Sequence, residues 1–151
     1  MHITKDNINE FITGTTMDCS YKGITHIEYI PDGITHLYCR NNQLTELPKL
    51  PDSLIRLYCE DNNLISLPLL PDSLTRLYCY SNKLTELPKL PESLVDLWCE
   101  YNKLTELTKL PESLKRLYCG GNQLPYIVTI ENLKEHNTLI KRKQILKLIC
   151  T

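Results

Sequence analysis

Residues 37–54 read LYCRNNQLTELPKLPDSL, and residues 57–74 read LYCEDNNLISLPLLPDSL. The phrase returns as LYCYSNKLTELPKLPESL at 77–94, LWCEYNKLTELTKLPESL at 97–114 and LYCGGNQLPYIVTIENL at 117–133. A degraded copy, MDCSYKGITHIEYIPDGI, precedes them at 17–34. Cys19, Cys39, Cys59, Cys79, Cys99 and Cys119 thus stand twenty residues apart, and only Cys150 falls outside the series. Such a period marks a repeat architecture. One copy cannot bury its apolar side alone, so neighbours stack and share a continuous core.

Each copy fits L-x-x-L-x-C-x-x-N-x-L, in the second copy as Ile34, Leu37, Cys39, Asn42 and Leu44, which is the leucine-rich-repeat signature. The L-x-C stretch alternates with period two and reads as a strand. Leu37 and Cys39 point inward, while His36, Tyr38 and Arg40 point outward. Repeated strands pair in parallel, about 4.8 Å apart, on the inner face of an arc. Asn42, Asn62, Asn82, Asn102 and Asn122 mark the turn, where an inward amide serves backbone groups of its own and the neighbouring copy. The first copy carries Lys22 there, as a terminal repeat does. Pro48 and Pro51 and their equivalents remove backbone donors, so the outer side is expected to be extended and not helical. Leu47 and Leu50 form the second wall of the core. Thr108 stands in the fifth copy where Pro48, Pro68 and Pro88 supply the first Pro, so one Pro is dispensable.

The predicted fold is therefore a single leucine-rich-repeat solenoid over residues 1–151. It has a parallel sheet on the concave face, a polyproline-II-like convex side and short helical caps at both ends. Residues 1–13 form the first cap, 14–133 six repeats of which the first is degenerate, and 134–151 the second cap. In the first cap, Thr4 to Ile12 are expected to be helical, with Ile8, Phe11 and Ile12 at helical spacing and Thr4 or Asp6 as cap. Ile127 and Ile130 are expected to hold inward repeat positions. Beyond them Leu133, Leu139, Ile140, Leu146 and Ile149 set a helical pattern, predicted to lie over the last repeat and block edge pairing. That helix is basic: Lys134, Lys141, Arg142, Lys143 and Lys147 stand against Glu131 and Glu135.

Composition narrows the function. Seventeen basic and 18 acidic residues leave no strong field toward nucleic acid or membrane. No apolar run reaches the length of a membrane span. The start, MHITKDNINEFITG, lacks the apolar centre of a secretory signal, so the expected compartment is the reducing cytoplasm. Cysteines there are thiols, and a column of parallel side chains does not converge on a metal. Cys39, Cys59, Cys79, Cys99 and Cys119 are read as core packing, Cys150 as the reactive thiol near the terminus. No metal and no cofactor is expected. The four His form no Ser/His/Asp or Cys/His arrangement and no Gly-rich phosphate loop occurs, so the chain is not expected to be an enzyme.

Twenty-residue repeats with L-P-x-L-P-x-x-L on the outer side resemble the bacterial subclass of leucine-rich repeats found in type III effector proteins that enter host cells. The L-Y-C-x-x-N-x-L form, with the tail EHNTLIKRKQILKLI at 135–149, is similar to leucine-rich-repeat proteins encoded by giant DNA viruses. Both resemblances imply a protein that binds host proteins, acting in the cytoplasm of the host cell. Some bacterial relatives add a ubiquitin-ligase domain with a catalytic Cys. With 18 residues beyond the last repeat, none is expected here.

The candidate site is the concave face. One outward column holds Tyr38, Tyr58, Tyr78, Trp98 and Tyr118, with Tyr80 and Tyr101 nearby, which is seven of the chain's eleven aromatic residues. Accessible Tyr and Trp are what interface hot spots use. The next column holds His36, Arg56, Arg76, Asp96 and Arg116, and the other flank Arg40, Glu60, Tyr80, Glu100 and Gly120. Aromatic rings beside Arg suit a protein partner, with Arg56, Arg76 and Arg116 setting its orientation. The alternative is a structural or self-assembling protein whose aromatic ladder stiffens the sheet, as a monomer or weak homo-oligomer. The acids Glu60, Asp61, Asp96 and Glu100 on the same face argue against a nucleic-acid track.

Overall fold

The computed structural model describes residues 1–149. Cys150 lies outside the described residues. The chain forms strands β1 (His2–Ile3), β2 (Ile12–Thr13), β3 (Thr16–Asp18), β4 (His26–Ile27), β5 (His36–Tyr38), β6 (Arg56–Tyr58), β7 (Arg76–Tyr78), β8 (Asp96–Trp98) and β9 (Arg116–Tyr118), followed by helix α1 (Leu133–Ile149). Seven of the strands make one sheet in the order β2-β3-β5-β6-β7-β8-β9. From β3 onward it is parallel, and its register is the sequence period: His36 pairs with Arg56, Arg56 with Arg76, Arg76 with Asp96 and Asp96 with Arg116. The convex segments of the repeats form no helix of their own among the described residues.

The core lies between the sheet and the convex segments. Leu37, Leu57, Leu77 and Leu97 are fully buried, as are the thiols from Cys19 to Cys99. Leu47, Leu50, Leu87, Leu90, Leu107 and Leu110 close it from the outer side. The six ladder thiols are free and pair with nothing covalently. Burial pushes their pKa values up, that of Cys19 to about 12, so they behave as small apolar side chains.

The Asn column does the stitching between turns. Asn82 Oδ1 accepts the Leu64 amide at 2.9 Å, and its Nδ2 donates to the carbonyls of Cys59 at 3.0 Å and Cys79 at 3.2 Å. Asn42, Asn62, Asn102 and Asn122 repeat this bridge to the preceding turn. In each copy the residue just before the Asn position is left-handed: Tyr21, Asn41, Asp61, Ser81, Tyr101 and Gly121 have φ between 51° and 66°. The turn reverses the chain out of the strand and swings the Asn amide inward.

The two ends differ from the sequence expectation. In place of a helix over Thr4–Ile12 there is one 3-10 turn, Ile8–Phe11. Asn7, not Thr4 or Asp6, stands at its N-cap, and its side chain ties back to the preceding segment, accepting the Thr4 amide at 2.8 Å and donating to the His2 carbonyl at 3.0 Å. Nine residues are too few for a stable α-helix when Ile12 and Thr13 can hairpin back onto β3. At the other end, Ile127 is 82% exposed and Val128 takes the inward place, its carbonyl accepting the Cys119 thiol at 3.3 Å. The slip is local, since Ile130 keeps its place against the core, and Tyr126 beside Ile127 bonds His136 of α1 at 2.9 Å.

Helix α1 docks through polar groups as much as apolar ones. Leu133 and Ile140 are buried, but Leu139, Leu146 and Ile149 are exposed. His136 is buried, with its Nε2–H donating to the Thr108 carbonyl at 3.0 Å and Tyr126 donating to its Nδ1 at 2.9 Å. Asn137 grips both backbone groups of Leu110, at 2.8 and 2.7 Å. The helix therefore seals the convex side of the fifth and sixth repeats, and it does not cover the edge of β9 as expected.

Two substitutions test this core. Asn82→Ala strands the Leu64 amide and leaves the Cys59 and Cys79 carbonyls with one side-chain donor each, from Asn62 and Asn102, and is expected to lower stability by about 1–3 kcal/mol. Cys79→Ser places a hydroxyl in an apolar column and is expected to cost about 1–3 kcal/mol. Urea unfolding of both variants against the parent chain checks each value.

Candidate functional site: the concave face

The strands place every outward side chain in a rank, one rung per repeat. The aromatic rank is a self-stacked ladder. Tyr58 and Tyr78 have ring centroids 4.4 Å apart and planes within 11°, and Tyr78 and Trp98 lie at 4.8 Å and 18°. Tyr38 meets Tyr58 edge-on at 4.9 Å, and Trp98 meets Tyr118 at 4.6 Å with a 59° tilt. The faces of the central rings are thus covered by one another. What they offer outward is their edges and hydroxyls. Base stacking and sugar stacking need ring faces, and along Tyr58, Tyr78 and Trp98 these are taken. Tyr118 ends the rank and is 47% exposed.

Tyr80 leans toward Trp98 at 6.4 Å. Tyr101 stands apart from the strand rank: it occupies the left-handed turn after β8 and lays its ring over Gly121. A Cβ on Gly121 would come within 2.6 Å of that ring, so any other residue there would push the Tyr101 ring aside.

The neighbouring rank is a charge network. Asp96 is fully buried. Arg116 grips it with two bonds, Nε to Oδ1 and a terminal nitrogen to Oδ2, both 2.7 Å. From the other side Arg76 Nε lies 3.2 Å from Oδ2. Arg76 and Arg116 are therefore partly committed to Asp96, which holds the Arg116 pKa above its usual value. Arg56 has no such partner and its buried Nε is unpaired. His36 sits beside Thr35 Oγ1 at 2.8 Å, and partial burial followed by the Arg56 charge lowers its pKa. The sequence signal for this network was available, since the twenty-residue register alone sets an acid between two Arg rungs.

The third rank is acidic. Glu60 is 2% exposed, with Arg40 3.7 Å from one oxygen and nothing on the other. Glu100 also keeps a buried unpaired oxygen. Between them stands Tyr80. The concave face thus runs from a basic rank through a rank of ring edges to an acidic rank. Among the described residues no group of His, Cys, Asp or Glu is placed to hold a metal, and no helix is long and apolar enough to cross a membrane.

Glu60 gives a pH test. Burial raises its pKa more than Arg40 lowers it. A carboxyl whose folded pKa lies above its unfolded one destabilises the fold once ionised, and the loss is relieved as pH falls through the folded pKa. Glu60→Gln is therefore expected to melt higher than the parent at pH 7. The difference should vanish below the ordinary Glu range, as thermal scans across pH would read.

Two solved structures share this architecture. YopM from Yersinia enterocolitica WA-314 matches with a TM-score of 0.71 and 41% identity, over 74% of this chain and 26% of its own. A leucine-rich-repeat domain of a Shigella effector matches with a TM-score of 0.75 and 33% identity, over 84% of this chain and 57% of its own. Neither a family model nor a curated protein matches the chain. The chain spans less than two thirds of the length of either structure. In fold it is a leucine-rich-repeat solenoid similar to those of bacterial effector proteins.

Proposed function

We propose that the chain is a non-enzymatic interaction module that binds a partner protein through its concave face, in the cytoplasm of a host cell. The observation that carries this reading is the rank order itself: basic, aromatic edge, acidic, with the central ring faces taken up by self-stacking. Such a surface suits a polypeptide, whose own charges and carbonyls meet Arg guanidinium, Tyr hydroxyl and Glu in register. It does not suit a phosphate chain, which the Glu60–Glu100 rank repels. The likeness to effector repeat domains supports a protein partner, and the resemblance to giant-virus repeats rests on the L-Y-C-x-x-N-x-L form and the basic tail. Within the face, the Tyr hydroxyls, Arg56 and the outer nitrogens of Arg76 are donors open to a partner. Tyr58, Tyr78 and Trp98 hold the surface rigid beneath it.

Affinity capture from host-cell lysate tests the reading. The double variant Arg56→Glu with Tyr118→Ser should lose the captured partner. A convex control, Lys49→Glu with Lys89→Glu, should retain it. The reverse pattern would move the interface to the convex side. In the same preparation, Tyr58→Ser, Tyr78→Ser and Trp98→Ser together should lose capture and also melt lower, by about 0.5–1.5 kcal/mol per stacked pair.

A further inference from the structure

The two ends of the sheet are finished differently. At the N-terminal end β2 runs antiparallel beside β3, pairing Ile12 with Met17 and Thr13 with Thr16. The first parallel strand is therefore covered. At the other end β9 is bonded to β8 alone. Along the sheet, Cys39 N–H donates to the Tyr58 carbonyl, and Cys59, Cys79 and Cys99 donate in turn to Tyr78, Trp98 and Tyr118. Cys119 carries the next donor of that series, and among the described residues no strand stands beside it.

What flanks this edge is a groove. It measures about 730 Å³ and is lined by Leu117, Cys119, Leu124, Tyr126 and Val128, with Gly120 and Gly121 on its rim. No residue of α1 lines it. Leu117 is only partly buried, whereas Leu37 to Leu97 are fully so. Tyr118 completes no further ring pair, while each ring from Tyr58 to Trp98 touches two neighbours in the rank. Core, backbone edge and aromatic rank all stop unfinished at the same rung.

We infer that the β9 edge accepts one more strand, an extended partner segment of aliphatic–aromatic–small pattern running parallel to β9. The chain's own rungs define that chemistry. On every interior edge the next strand brings a Leu over the Leu column, a ring onto the ring rank and a Cys beside the Cys column. Two other occupants fit less well. A second copy stacked head to tail meets a sheet end closed by β2. A second copy meeting edge to edge runs antiparallel, which sets Tyr118 beside Arg116 and leaves the ring rank incomplete. The edge shares Tyr118 with the concave-face reading, but its test reads backbone pairing at Leu117 and Cys119, which that reading does not require.

The test uses a synthetic peptide with the chain's own rung sequence, SLTRLYC of residues 73–79, blocked at both ends and titrated into the whole chain under reducing conditions. Binding should saturate, with slowed hydrogen exchange at the Leu117 and Cys119 amides. Within the sheet the Arg76 amide faces the preceding strand, donating to the Ile55 carbonyl, and alternation places the Tyr78 amide on the same side and the Leu77 amide on the other. N-methylation of Tyr78 in the peptide should therefore weaken binding about tenfold, and N-methylation of Leu77 should leave it nearly unchanged. Gly120→Lys supplies the complementary variant: a Cβ there meets nothing within 4 Å, and a lysine on an edge deters strand addition. It should abolish peptide binding at an unchanged melting temperature. The inference is overturned by absence of protection at millimolar peptide, by equal loss from the two methylations, or by concentration-dependent protection without peptide. The last result would assign the edge to a second copy.

Discussion

One side-chain amide per repeat holds the solenoid together. The backbone leaves the strand through a left-handed residue and would otherwise bury carbonyls and amides with no ladder to serve them. The Asn amide supplies both donor and acceptor at that point, and it reaches the preceding turn as well as its own. Because the bridge spans two copies, it fixes the spacing from each strand to the turn that follows, and C-x-x-N is the same in every copy that carries the Asn. A residue inserted between strand and Asn would misplace the amide, and one inserted within the strand would turn its side chains to the wrong face.

A fixed period has an electrostatic consequence. Parallel register puts the same position of successive copies about 4.8 Å apart, so a repeated charge becomes a row of like charges. Two full charges held about 5 Å apart at an effective dielectric near 20 repel by roughly 3 kcal/mol. The rank His36, Arg56, Arg76, Asp96, Arg116 relieves this in two ways: His36 is driven toward its neutral form beside Arg56, and Asp96 separates Arg76 from Arg116 while bonding both, which leaves Arg56 and Arg76 as its one pair of adjacent like charges. On the other flank Arg40 opens the rank ahead of Glu60, and Tyr80 divides Glu60 from Glu100. Uncharged aromatic rings carry no such penalty and gain by stacking, which is why their rank alone runs uninterrupted through five copies.

Much of this was legible in the sequence because periodicity converts position into place. The Leu, Cys and Asn columns, the strand register and the composition of the concave face all follow from counting in twenties. The ends were not legible, because nothing repeats there. Ile127 fits the repeat pattern in sequence yet points to solvent, with Val128 buried in its stead and Tyr126 bonded to His136 of α1. The helical apolar pattern of the tail picked Leu133 and Ile140 correctly but missed that His136 and Asn137 do the docking, capping backbone groups of Thr108 and Leu110. Thr108 read as a tolerated loss of proline. In the structure its carbonyl receives α1. The orientation of the rings also lay beyond the pattern, which shows which residues share a face but not whether they show it their edges or their planes.

That orientation decides where on the surface a partner gains most. Within the rank each ring is already in contact above and below, so a ligand laid on Tyr58 or Tyr78 adds edge contacts to rings whose dispersion partners are in place. At Tyr118 a ring added beyond it still gains a new stack, and the adjoining backbone and Leu117 gain a strand and a core neighbour at the same step. On the strand-addition proposal, binding energy per residue would be greatest at the sheet's end, while the rank behind it supplies rigidity. A stiff ladder loses little conformational freedom on binding, so contacts made at its end are not offset by ordering the surface that makes them.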